Sequence, residues 1–275
     1  MSERLQRTNE QVFLQAGNPV ISFDYDVMLD GEKCEYEWGM LKRNRFDPQA
    51  PDPARPFGIF INTCPDDGGN YVTPRWLKFA IREEYRSVIE DSVPAQHAHL
   101  RHVGFSKEEA MLMHRLTTVS IDGKQYPGTL STHFGRSIEA IMKQGSLSIE
   151  ERNIASAAYA LSAIQAIDLA MNPQIINGQD RHVLHSDPNP GNVLMMVRDG
   201  RVTVINYDMT NKGRITRKSI TDKVISGMYF DYQKGAEVKG LAMPNDINTL
   251  FAHKEEYQNI LGTPVAINLA YRGLY

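Results

Sequence analysis

The sequence predicts an α+β protein of two lobes, a β-rich one over residues 1–132 and a mainly helical one over residues 133–275. Three observations carry that prediction. Runs that alternate apolar and polar residues, joined by Asp-Gly turns, crowd the first half. A long apolar stretch, 149–171, opens the second half behind a helix-capping signature. Strands and helices are segregated along the chain, which argues for α+β over a doubly wound parallel sheet.

The elements follow in order. Val20 to Leu29 alternates and is rich in β-branched and aromatic residues. Asp30-Gly31 is a tight-turn dipeptide and Cys34 to Arg43 alternates again, so the two runs read as a hairpin. Four prolines in FDPQAPDPARP, residues 46–56, mark a proline-rich insertion that forms a loop or hinge. Phe57 to Thr63 reads as a strand, and Pro65 to Asn70 as a turn. Thr73 and Pro74 then make a helix start, and Leu77, Ile81, Tyr85, Val88 and Ile89 share one helical face. This predicts a helix over 74–92, ended by Pro94. Ala110 to Ile121 and Gly128 to Phe134 read as strands around the Asp122-Gly123 turn. Ser148 with Glu151 is a capping box, and the helix it starts is apolar on nearly every side, so it is expected to be buried. Val193 to Val197 and Arg201 to Tyr207 form a last hairpin through Asp199-Gly200.

Composition excludes several classes. The 275 residues carry 30 Lys and Arg against 33 Asp and Glu, a net charge of −3, with 41% hydrophobic and 23% charged residues. That is too apolar and too nearly neutral for a disordered chain. It offers no general electrostatic footprint for nucleic acid. No uninterrupted apolar run approaches a membrane span, and the first residues lack a signal peptide's apolar core. Cys34 and Cys64 cannot build a disulfide framework. The expectation is therefore a cytoplasmic protein, or one secreted into a host cell without a classical signal, with neither nucleic acid nor membrane as partner.

The stretch with chemical content is HSDPNPGNVLMMVRDGRVTVINYD, residues 185–208. It holds His185, Asp187 and Asn192 in the spacing H-x-D-x-x-x-x-N, then a hairpin, then N-Y-D at the end of an apolar strand. Phosphoryl transfer needs a carboxylate to orient or deprotonate the attacking hydroxyl, and oxygen ligands to hold Mg²⁺ on the nucleotide phosphates. Asp187 fits the first need and Asn192 the second. The stretch resembles the catalytic loop and metal-binding strand of the protein-kinase-like superfamily.

That resemblance implies a bilobal protein-kinase-like fold with a shortened helical C-lobe, similar to the truncated kinases among secreted bacterial effectors. ATP with Mg²⁺ or Mn²⁺ would bind between the lobes, and the γ-phosphate would pass to a protein hydroxyl. Asp187 would be the base, His185 would brace the loop, and Asn192 with Asn206 or Asp208 would bind the metal. Lys42, with Lys78 as its competitor, would be the strand lysine that grips the phosphates. Glu84, or else Glu83, would be its partner on the following helix, Gly17 the remnant of the glycine-rich loop, and Asp246 the residue tying down the catalytic loop. The departures are specific. Asn206 stands where the family's metal-binding aspartate falls, and an amide is a neutral, weaker ligand. Ser186 replaces the arginine before the catalytic aspartate, and Asn189 the lysine after it. Two alternatives follow: a pseudokinase that acts as a binding scaffold, and a small-molecule phosphotransferase of the aminoglycoside or choline type. An activating protein partner is a further expectation.

Other signals have plainer readings. Asp-Pro-Asn-Pro-Gly is good turn chemistry in its own right. His97, His99 and His102 read as a solvated loop, the acidic pair Asp66 and Asp67 as a turn, and Met111, Met113, Met195 and Met196 as core filler.

Overall fold

The fold is described from a computed structural model, over residues 20–22, 26–33, 38–41, 46–47, 56–65, 72–132, 135–144, 146–176, 178–185, 187–210 and 222–272. It is mixed α and β with antiparallel sheets. The chain divides into two compact units, residues 1–93 with 108–134, and residues 94–107 with 135–275.

The first unit is an eight-stranded antiparallel sheet. Its strands in chain order are β1 (Val20–Ser22), β2 (Val27–Leu29), β3 (Glu32–Lys33), β4 (Gly39–Leu41), β5 (Phe57–Pro65), β6 (Val72–Ala80), β7 (His114–Ile121) and β8 (Lys124–Thr132), and their spatial order is β1-β4-β5-β6-β8-β7-β2-β3. The Asp30-Gly31 turn does join a hairpin, β2 to β3. Asp30 takes a left-handed φ of 54° there, and its carboxylate accepts bonds from Arg115, Thr117 and the Thr118 N–H. The core is aromatic. Phe46, Phe60, Phe79 and Tyr126 pack together, Phe46 edge-on to the other three, with Phe46–Phe79 ring centroids at 5.2 Å.

Two expectations fail in this region. Residues 72–80 are a strand, not the start of a helix. Leu77 and Phe79 are fully buried while Trp76 before them and Lys78 between them are half-buried, a period of two. Pro74 is paired with Thr63 in the ladder. The helix begins twelve residues later than expected: α1 runs Arg86–His102, after a short 3₁₀ turn over Glu83–Tyr85, and carries Pro94 inside it. A proline inside a helix costs roughly 3 kcal/mol. Burial of the apolar Ile89, Val93, Ala95 and Leu100 from the same helix offsets that cost. Likewise, residues 107–113 form a helix, α2 (Lys107–Met113), rather than the start of a strand. Glu108 and Glu109 favour its first turn, and Ala110 and Met113 are buried three residues apart. The division between the units falls within α1, residues up to Val93 counting with the first and those from Pro94 with the second.

The second unit is built on α4 (Ile149–Met171), with fifteen buried residues. Both bonds of the Ser148–Glu151 capping box are present. By length and hydropathy this helix could cross a membrane, and 83% of its most apolar window is buried inside the protein. Around it lie α3 (Ile138–Met142), α5 (Asp222–Lys239), α6 (Ile247–Ala252), α7 (Lys254–Leu261) and α8 (Pro264–Tyr271). Three small sheets complete the unit. The strands β9 (Arg136–Ser137), β13 (Val193–Arg198) and β14 (Arg201–Asn206) form one, in the order β14-β13-β9. A second pairs β10 (Gln174–Ile176) with β11 (Gln179–Arg181), and a third pairs β12 (Leu184–His185) with β15 (Met209–Thr210). Met113 and Met195 are core residues as expected, but Met111 is half exposed.

Candidate functional site

The local sequence folds residues 185–208 into a loop and hairpin that concentrate polar groups. The Asn189 N–H bonds the Asp187 carbonyl at 2.7 Å, and the Asn192 N–H bonds the Asn189 carbonyl at 2.7 Å. The Asn189 side chain accepts from the Gly191 N–H at 2.8 Å, which starts a 3₁₀ turn over Pro190–Asn192. The Asn192 amide then reaches back, donating to the Asp187 carbonyl at 3.0 Å and to its carboxylate at 3.2 Å. Asp187 is exposed and Asn192 half-buried. The Asn192 Oδ1 remains as an acceptor among the described residues.

The hairpin brings the end of β14 back to this loop. Val193 is opposite Asn206, and the Tyr207 N–H bonds the Asn192 carbonyl at 2.7 Å. His185 fastens the other side. Its Nε2 lies 3.0 Å from the Tyr207 carbonyl, which can only accept, so Nε2 carries the proton. Its Nδ1 therefore accepts, and the Tyr232 hydroxyl of α5 donates to it at 2.6 Å. Burial holds His185 at a pKa of about 4, against the pull of the Asp208 charge, so the ring is neutral. The braces for this loop were not legible beforehand. Tyr159, from the middle of α4, donates its hydroxyl to the Pro188 carbonyl, and burial raises its pKa. A methyl group on Gly235 of α5 would collide with that hydroxyl and lie 2.9 Å from the same carbonyl, so only glycine permits this approach.

Asn206 and Asp208 have opposite environments. Asn206 is fully buried, its amide donating to the Ser162 carbonyl of α4 at 2.9 Å, with the Tyr232 hydroxyl 3.5 Å from its Oδ1. Its backbone is held as well. The N–H donates to His99 Nε2 at 2.8 Å, and the carbonyl accepts from Gln96 Nε2 at 2.8 Å. Asp208 is half-buried and takes a left-handed φ of 63°. The expectation that Asn206 is a metal ligand does not fit this geometry, because the residue is fully buried, with its Nδ2 on the Ser162 carbonyl and the Tyr232 hydroxyl beside its Oδ1, whereas Asn192 is only half-buried. Asp208 carries the carboxylate.

The remaining predicted residues scatter. Gly17 and Lys42 lie outside the described residues. Glu84 sits on the exposed 3₁₀ turn rather than on the helix, 3.1 Å from Arg82, and Glu83 pairs with Arg86. Lys78 is on strand β6, its ammonium 5.0 Å from the Phe57 ring centroid. Asp246 does not tie down the loop. It caps α6, accepting from the Thr249 N–H at 2.9 Å and its hydroxyl at 2.7 Å. The histidine cluster is helical rather than a loop, and His99 is fully buried, its pKa pushed down to about 3 by burial and by the neighbouring His185 and His102. Helical spacing of 96, 99 and 100 was the available signal for this buried face.

Among the described residues no three His, Cys, Asp or Glu side chains form a metal cluster. A magnesium site on nucleotide phosphates needs only one or two carboxylates and leaves the remaining positions to phosphate and water. The acceptor oxygen of Asn192 and the carboxylate of Asp208 fit that demand. Two cavities, of about 340 and 530 Å³, are lined by other residues, among them Asp30 and Arg86 in the first and Arg101 and Lys107 in the second. Comparison with protein-family models, curated proteins and solved structures finds no match.

Proposed function

We propose that this protein is an ATP-dependent phosphotransferase of protein-kinase-like fold that transfers the γ-phosphate to a hydroxyl on a protein. One observation carries the reading: an exposed carboxylate, Asp187, bonded to Asn192, on a loop held from behind by a buried neutral histidine and followed by a hairpin that delivers Asp208. Chance turns do not require a buried histidine, two buried tyrosines and an obligatory glycine to support them.

The chemistry assigned to each group follows. Asp187 accepts the proton of the acceptor hydroxyl as its oxygen bonds to the γ-phosphorus and the bond to the β–γ bridging oxygen breaks, releasing ADP. Asn192 and Asp208 would hold Mg²⁺ or Mn²⁺, which neutralises charge on the phosphates when bound. Exposure of Asp187 suits an acceptor presented by a macromolecule. Lys78 is the better claimant for the phosphate-gripping lysine among the described residues, because it lies on the strand that precedes α1, separated from it by the short 3₁₀ turn.

Transfer of label from γ-³²P-ATP, with protein lysate and small alcohols offered as separate acceptors, tests the reading. Asp187→Ala should lose roughly 10²- to 10⁴-fold in rate while keeping its melting temperature. Labelling of the alcohols alone would favour the small-molecule phosphotransferase. Absence of transfer, with no stabilisation by ATP and metal, would favour the scaffold and refute the proposal.

A further inference from the structure

We infer that Gln96 is a positioning residue for the metal-binding carboxylate, acting on Asp208 through the backbone on both sides of it. The inference rests on the phosphotransferase reading above. Gln96 lies on α1 and is 1% exposed. Its Nε2 donates to the Asn206 carbonyl at 2.8 Å, and its Oε1 accepts from the Met209 N–H at 3.3 Å. These two bonds bracket the dipeptide Tyr207-Asp208. A primary amide offers a donor and an acceptor side by side, as a peptide group does, so Gln96 takes the place of a neighbouring strand where the chain leaves β14 and enters β15.

The bracketed segment needs such a device. Asp208 has φ 63°, a region that L-residues other than asparagine and aspartate rarely enter. Asn206 and Met209 are both fully buried, so their backbone groups have no solvent to turn to. His99, almost one turn further along α1, receives the Asn206 N–H. Asn206 is thereby held to α1 through both its N–H and its carbonyl, and Gln96 also reaches beyond Asp208 to Met209, whose strand β15 pairs with β12 at His185. No other natural side chain of this length supplies both functions: glutamate accepts at both oxygens when ionised, and methionine has no donor and only a weak acceptor.

The bracket predicts a defect in metal use rather than a general loss. In the full chain, Gln96→Met should raise the Mg²⁺ concentration for half-maximal ATP transfer at least tenfold, with the rate at saturating Mg²⁺ falling less than threefold. In an Asp208→Asn background the same substitution should leave the metal dependence unchanged, because the group it positions has already lost its charge. Gln96→Glu, which still accepts from Met209, is measured in parallel, and against Asp208→Asn, in case the methionine variant does not fold. A melting temperature lowered with unchanged Mg²⁺ dependence would overturn the inference and leave the phosphotransferase reading standing. So would equal effects of the substitution in the two backgrounds. If the wild-type chain shows no Mg²⁺-dependent ATP transfer at all, the phosphotransferase reading itself is overturned, and the inference with it.

Discussion

Asn206 shows how a single buried amide can mislead a reading based on motif position. Its place in N-Y-D matches that of a metal-binding aspartate, and the natural repair is Asn206→Asp. The surroundings predict the opposite of a repair. The side chain is fully buried and donates to the Ser162 carbonyl. A carboxylate there would face that carbonyl with no donor to offer, and a buried unpaired charge costs several kcal/mol. Asn206→Asp should therefore lower stability by about 2 kcal/mol or more without raising transfer, as denaturant unfolding and the label assay would read together. The buried histidines make a second prediction at this scale. His185 and His99 have folded pKa values of about 4 and about 3, below the ordinary value near 6.5. A depressed histidine pKa means that protons bind the unfolded chain first, so the stabilising effect of the neutral rings is complete above pH 6.5 and is lost as pH falls towards 4. Each ring should cost on the order of 3 kcal/mol by pH 4. The melting temperature should be level above pH 7 and fall through the range 6.5 to 5, where carboxylates do not yet titrate. A level profile down to pH 5 would contradict the assignment.

At the scale of elements, the parts legible in the sequence were those whose determinants lie close together in the chain. The loop from Asp187 to Asn192 closes on itself through bonds spanning five residues or fewer. The hairpin after it is specified by Asp199-Gly200, and α4 by its capping box and apolar run. Strand β6 reads as helix in the sequence because Leu77, Ile81 and Tyr85 recur every four residues, a helical face, although Ile81 and Tyr85 lie beyond the strand's end at Ala80, and Thr73-Pro74 imitates a helix start. Pairing with β5 and β8 decided it, and no local signal reports that pairing. The braces of the site were hidden for the same reason. Tyr232 meets His185 across 47 positions, and Gln96 meets Asn206 across 110. Gly235 tests this packing of elements. Gly235→Ala should improve the intrinsic helix propensity of α5 by about 1 kcal/mol, yet destabilise the protein and slow transfer, because its methyl group drives α5 away from Tyr159 and Pro188. A stabilised, fully active variant would mean that the close approach has no role.

For the whole molecule, the near-neutral charge of −3 means that, on the proposed reading, nucleotide affinity would rest on a few fixed groups rather than on a basic surface. Each unit has its own core. The first supplies a sheet with an aromatic core and a lysine on the strand that leads into α1. The second supplies a helix-centred core from which Tyr159 and Tyr232 hold the loop bearing Asp187. The central claim is that Asp208, with Asn192, does for this chain what the motif position of Asn206 cannot. The most direct measurement is the rate of γ-³²P transfer in Asp208→Asn beside the wild-type chain at saturating ATP and graded Mg²⁺. The account predicts at least a hundredfold loss at millimolar Mg²⁺ in a variant that melts within a few degrees of wild type. Equal rates across the Mg²⁺ range would contradict it.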